Sequence, residues 1–215
     1  VLAHELGHIS RSHGRFGAWI HRLGHSWSSV LESLDERGFA GSGVARRLLG
    51  WYVPRLAACT VALEREQEHE ADRAAADAAG ARHAALALVR ATALAPAVGR
   101  YWDGVYRRVV DDAAPPPAVF AGVADAVLAV PHADGKAAVD RALALTTETT
   151  DTHPALAERL AAIGCGAGAL DVADALAPPA LSAADALLGR DTHARLRERL
   201  SSRWYHSVQD GWMER

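Results

Sequence analysis

The hydrophobic positions of this chain recur at steps of three and four, and nowhere is there an alternating pattern long enough to call a strand. The opening stretch VLAHELGHISRSHG has Gly7 as its one internal breaker and ends at Gly14, so a helix is predicted across it. Over residues 16–36, Trp19, Ile20, Leu23, Trp27, Val30, Leu31 and Leu34 mark one or two amphipathic helices. Residues 38–43 read as a loop. A longer helix is predicted over about 44–79; its last part is rich in alanine, which lets a neighbouring helix approach closely, and Gly80 ends it. Residues 84–110 are again helical in pattern, with a break expected at Pro96.

Beyond that point the elements shorten. The run AAPPP at 113–117 reads as a stiff linker and an internal boundary. Short helices are predicted around 119–130 and 136–145, then a polar stretch at 146–152, then a helix opened by Pro154 in its first turn. Residues 164–168 and the Pro178-Pro179 pair read as loops. A last helix begins at about Ala183 or Thr192, and in it Leu196, Leu200, Trp204, Val208 and Trp212 step by four, a stripe expected to pack in a core. No repeat of fixed period is found. The predicted fold class is mainly α, with little or no strand.

Composition narrows the partners. With 215 residues, 50% hydrophobic and 23% charged, the chain can bury a sizeable core and disorder is not expected. The 23 basic and 26 acidic side chains leave a net charge of -3, which offers no broad positive field, so a nucleic-acid partner is not expected. Cys59 and Cys165 lie too far apart in sequence to suggest a disulfide framework and read as reduced thiols, in keeping with a cytoplasmic environment. The most apolar stretch, 43–63, is broken by Arg46, Arg47, Pro54 and Arg55, so these residues are not expected to span a membrane and read as soluble. Because the chain opens at Val1 and not at Met, a fragment or processed product is expected, with targeting or transmembrane parts upstream.

The candidate chemistry lies near the start. In HELGH, His4 and His8 are four apart, so on a helix they share one face and both can reach one ion. Zinc suits that geometry: imidazole nitrogen binds it at about 2.0–2.1 Å, and a catalytic site keeps three protein ligands and one open position. Glu5, turned about 100° from His4, is the candidate general base. In EREQEHEADRAA, Glu68 and Asp72 are again four apart. Glu68 can supply the third ligand, and Asp72 can accept a hydrogen bond from the outer nitrogen of a ligating histidine. Glu64 shares a stripe with Glu68 and is the main rival ligand; Glu66, His69 and Glu70 read as a solvated acidic face. A metzincin pattern fails, because the positions needing Gly and His are Arg11 and Gly14, so His13 has no ligand role. His21, His25, His83, His132, His193 and His206 have no partner at metal-binding spacing.

Three blocks in order resemble one family. VLAHELGHI is similar to the zinc helix of metallopeptidase family forty-eight, the group of HtpX-like and CAAX prenyl proteases; EHEADRAAA is similar to its Glu-x-x-Ala-Asp helix; Asp151-Thr152-His153-Pro154 with Arg159 is similar to its Thr-His-Pro block. The resemblance covers about 1–164. It implies a zincin-like helical domain with one Zn²⁺ per chain, Glu68 as ligand in preference to Glu64 and Glu70, and His153 in the cleft polarising the scissile carbonyl or stabilising the oxyanion. It assigns no chemistry to Arg159. The division expected is a zinc-binding catalytic core over 1–112, its continuation with the Thr-His-Pro block over 113–164, and a helical extension over 165–215.

The expected activity is zinc-dependent endopeptidase hydrolysis of a protein or peptide substrate, of a quality-control type, in a parent tethered to the membrane by segments upstream of Val1 with its catalytic domain in the cytoplasm. Two alternatives differ in kind. A sensor-type antirepressor metallopeptidase also carries HExxH but lacks the Thr-His-Pro block. A non-catalytic module stapled by zinc has no use for Glu5. Oligomeric state is not legible.

Overall fold

In the computed structural model, which describes residues 1–10, 42–149, 151–166 and 170–213, the three- and four-residue periodicity becomes helix throughout. Among the described residues the helices are α1 (Leu2–Ser10), α2 (Ser42–Ala79), α3 (Ala81–Arg107), α4 (Val119–Leu128), α5 (His132–Leu143), α6 (Leu156–Ala162), α7 (Val172–Leu176), α8 (Ala183–Leu188) and α9 (Arg190–Met213), with no strand. The mainly α expectation holds. The helices expected over 16–36, and His13, His21 and His25, lie outside the described residues. So does most of the loop expected at 38–43, of which Ser42 and Gly43 are already helical.

The chain groups into two compact units. One comprises Val1–Leu88 with Ala142–Leu170, the other Val89–Arg141 with Asp171–Arg215. In the first, α1 and α6 both pack against α2. Small residues make the α1 contact possible: a Cβ added at Gly7 would lie 3.0 Å from Ala71 Cα and 3.3 Å from Ala74 Cβ. Ala71 and Ala75 of α2 are buried, as are Leu156 and Leu160 of α6. Gly80, at φ +84°, lets the backbone leave α2 and enter α3, a conformation that other residues rarely adopt.

Aromatic packing organises the second unit. Val105, Val109, Val119 and Trp212 are buried together, with Tyr101, Trp102, Phe120, Trp204 and Val208 packed on them. Polar tips are satisfied by backbone: Tyr101 donates to Val119 O at 2.5 Å, and Trp212 Nε1 to Asp112 O at 2.9 Å. Burial pushes the Tyr101 hydroxyl above its ordinary pKa, with Arg108 pulling down and Asp125 pushing up. Gly135 of α5 passes so close to Leu176 of α7 that a Cβ there would meet Leu176 Cδ1.

Four local expectations are corrected. Helix α3 runs through Pro96 without ending. Ala93 and Ala97, on either side, are 2% and 6% exposed, and their burial holds the turn helical against a proline cost of about 3 kcal/mol. Pro154 precedes α6 by two residues instead of lying in its first turn. The last helical region is split at Gly189, φ +76°. In α9 only Trp204, Val208 and Trp212 join the core; Leu196 and Leu200 are exposed, because the core partners meet only the C-terminal half of the stripe. Cys165 is a free thiol, and the side chain of Cys59 lies outside the described residues.

Candidate metal centre

Helix α1 sets His4 and His8 one turn apart, and their Nε2 atoms converge to 3.2 Å. Helix α2, held close by the Gly7 contact, brings Glu68 across from them. Its Oε2 lies 3.7 Å from His4 Nε2 and its Oε1 lies 3.5 Å from His8 Nε2. Those separations are long for hydrogen bonds. They suit donors arranged around an ion: bonds of about 2.1 Å at tetrahedral angles put neighbouring donor atoms about 3.4 Å apart. One donor atom from each of the three residues falls within a 4.8 Å set. Glu64 and Glu70, on the same helix, do not join that group.

The two carboxylates that α2 brings here are buried, Glu68 at 7% exposure and Asp72 at 2%. Buried carboxylates are costly unless a cation and hydrogen bonds compensate them. Arg159 of α6 does this. Its Nε donates to Asp72 Oδ2 at 2.7 Å and its Nη2 to Asp72 Oδ1 at 2.8 Å, while Nη2 also lies 3.0 Å from Glu68 Oε2. Burial alone would lower the guanidinium pKa, but the Asp72 hydrogen bonds and the charges of Asp72 and Glu68 outweigh it and raise it. Arg159, which resembles a family position without an evident task, thus pins one carboxylate and leans on the other.

Asp72 also approaches His4, with Oδ1 3.0 Å from Nδ1. The pair is near but misaligned, so Nδ1 is buried without a formed hydrogen bond. An unfulfilled outer nitrogen beside a pinned carboxylate fits an imidazole that is to be oriented for a metal on its other nitrogen. His153 stands beside the donor group, its side chain 70% exposed and its Nδ1 3.2 Å from Glu68 Oε1. Glu5 is exposed on α1 and lies outside the donor group.

Further residues here gave no signal in the sequence. Arg65, one turn before Glu68, donates through Nε to Asp151 O at 2.7 Å and through Nη2 to Glu148 O. Thr147 donates through Oγ1 to Glu158 Oε2 at 2.7 Å and accepts from Ala155 N at 2.7 Å. These contacts join residues 8 to 86 positions apart, beyond any local pattern.

A buried carboxylate facing two histidines one turn apart on a neighbouring helix is a group that could hold a metal ion. The family model of peptidase family M48 matches residues 1–164, and the chain belongs to that family. It is accordingly a metallopeptidase, and a protein or peptide is its substrate. No curated protein and no solved structure matches the chain. No helix among the described residues is long and apolar enough to cross a membrane.

Proposed function

We propose that the chain is the catalytic part of a zinc-dependent endopeptidase, with His4, His8 and Glu68 as ligands of one Zn²⁺ and Glu5 as general base. The observation that carries this reading is the convergence of two histidines and one buried carboxylate into a single donor group. The ion, when bound, supplies an electrophile that acidifies water and polarises a peptide carbonyl. Glu5, exposed on the same helix as both histidines, takes the proton of the attacking water and passes it to the departing amine. His153, exposed beside Glu68, donates a hydrogen bond to the carbonyl oxygen as charge develops there. Asp72 orients His4, and Arg159, bonded to Asp72 and 3.0 Å from Glu68, holds both carboxylates in place. The likeness to the family, not the geometry, supports a membrane-tethered parent of quality-control type with a cytoplasmic catalytic domain.

Zinc stoichiometry and casein hydrolysis test these roles on the parent chain, Glu5→Gln and Glu68→Ala. Glu5→Gln is expected to keep one zinc and lose hydrolysis by about 100-fold or more, while Glu68→Ala loses the metal. Equal zinc in all three with no cleavage by any would favour a zinc-stapled interaction module.

A further inference from the structure

His153 sits in the irregular segment between α5 and α6, a poor place from which to hold an imidazole on target unless the backbone is fixed on both sides. Both sides are fixed. Two residues before His153, the Asp151 carbonyl accepts from Arg65 Nε at 2.7 Å. The same guanidinium reaches Glu148 O through Nη2. Glu148 and Asp151 are also bonded to each other, Asp151 N donating to Glu148 O at 3.2 Å and Glu148 N donating to Asp151 Oδ2 at 2.8 Å.

Two residues after His153, the N-cap of α6 is Ala155, which has no side-chain oxygen with which to cap the helix. Its N–H donates instead to Thr147 Oγ1 at 2.7 Å, and Thr147 returns two bonds to Glu158 in the first turn of α6: N to Oε1 at 3.2 Å and Oγ1 to Oε2 at 2.7 Å. Pro154, between His153 and that cap, is buried and has its φ locked. Arg65 and Glu68 are three apart on α2, about 4.5 Å of axial rise. One rigid helix therefore sets both the carboxylate of the metal centre and the height of the segment that bears His153.

We propose that Arg65 and Thr147, the latter through Glu158, are positioning residues that brace the backbone on either side of His153 so that its imidazole meets the substrate carbonyl at the metal centre. This rests on the role given to His153 above. Neither residue needs to touch substrate. Arg65 spans two carbonyls, which lysine, with a single ammonium, cannot reproduce at the same geometry. Thr147 needs its hydroxyl and not its methyl.

The test measures kcat, KM and bound zinc for the parent chain, His153→Ala, Arg65→Ala, Thr147→Val, Thr147→Ser and the Arg65→Ala/His153→Ala pair. His153→Ala is expected to lower kcat about 100-fold, as the loss of one oxyanion donor does. Arg65→Ala and Thr147→Val are expected to lower it roughly 10-fold through misplacement, with zinc and KM near the parent values. Thr147→Ser should stay near the parent. In the pair, the Arg65 change should add nothing to the His153 loss, because a brace has no effect on a missing imidazole. A further 10-fold loss in the pair overturns the proposal. If His153→Ala cleaves like an active parent, the role of His153 falls and the brace with it; if His153→Ala is impaired but Arg65→Ala and Thr147→Val are not, the brace alone falls. A readout independent of turnover is the His153 imidazole resonance: Arg65→Ala and Thr147→Val should move it toward that of a free imidazole while those of His4 and His8 stay, and an unmoved His153 resonance also overturns the brace.

Discussion

The two compact units have opposite centres. In the first, the most deeply placed functional groups are the carboxylates of Glu68 and Asp72 with the guanidinium of Arg159 against them; in the second, Val105, Val109, Val119 and Trp212 form an apolar cluster ringed by aromatic side chains. An apolar cluster gains from burial whatever its exact arrangement, and volume-conserving changes are tolerated there. A buried ionic cluster gains only if every charge is met, and the loss of one partner leaves the others uncompensated. The contrast makes the first centre the candidate functional site: two carboxylates at 7% and 2% exposure add little stability that apolar side chains of similar size would not.

Removing the central group of each unit should have the largest effects. Arg159→Met should cost about 3–5 kcal/mol in chemical unfolding, since it strands two buried carboxylates. Added zinc should recover part of that loss, because a bound cation meets the same charges and ligand binding stabilises by mass action. Trp212→Ala should also cost about 3–5 kcal/mol, through a lost aromatic and the cavity it leaves. Added zinc should not single that variant out for recovery. If zinc raises the unfolding midpoints of the two variants by equal amounts, the ionic reading of the first centre is wrong.

Within the first unit a smaller change tests the helix contact. Gly7→Ala adds a methyl 3.0 Å from Ala71 Cα, so α1 must shift by a few tenths of an ångström. Overpacking of this kind costs about 1–3 kcal/mol, but alanine favours helix over glycine by about 1 kcal/mol, so the net loss of stability is expected to be slight. Metal affinity should respond more, by roughly 10-fold, because the shift carries His4 and His8 away from Glu68. Calorimetric zinc titration beside a thermal melt separates the two, and a variant that melts early yet binds zinc normally would show that the close helix contact does not set the donor geometry.

Much of this centre was legible in the chain, for a physical reason. His4 with His8, and Glu68 with Asp72, are one helical turn apart, and a helix makes four-residue spacing a spatial fact without any knowledge of the fold. The alanine-rich end of α2 announced the close approach for the same reason. Arg159 was different: it meets Asp72 across 87 positions, and only the packing of α6 on α2 brings them together. Thr147, Glu158 and Arg65 were silent likewise, being ordinary polar residues until the segment between α5 and α6 is in place. The overestimates have a tertiary cause too. Leu196 and Leu200 follow the same stripe as Trp204 and Trp212, but periodicity says which face is apolar, not how far along that face a partner extends.

The smallest expected effect concerns acid, and it sets one carboxylate of the first unit apart from the buried pair. Glu158 is exposed, and its hydrogen bonds from the Thr147 side chain and backbone hold its pKa below the ordinary 4.5, helped by His69 and Arg65 and opposed by a little burial. A carboxylate whose folded pKa is lowered contributes stability that is present above its unfolded value and is lost as pH falls through the folded one. Glu158→Gln should therefore be less stable than the parent near neutral pH, and the gap should close progressively below about pH 4.5. Because the group is solvated, the gap is small, and it is best read from denaturant midpoints taken at several pH values. A gap that stays constant from neutral pH down through that window would mean that Glu158 acts by shape and not by charge, and that its bond to Thr147 is no stronger than a neutral one.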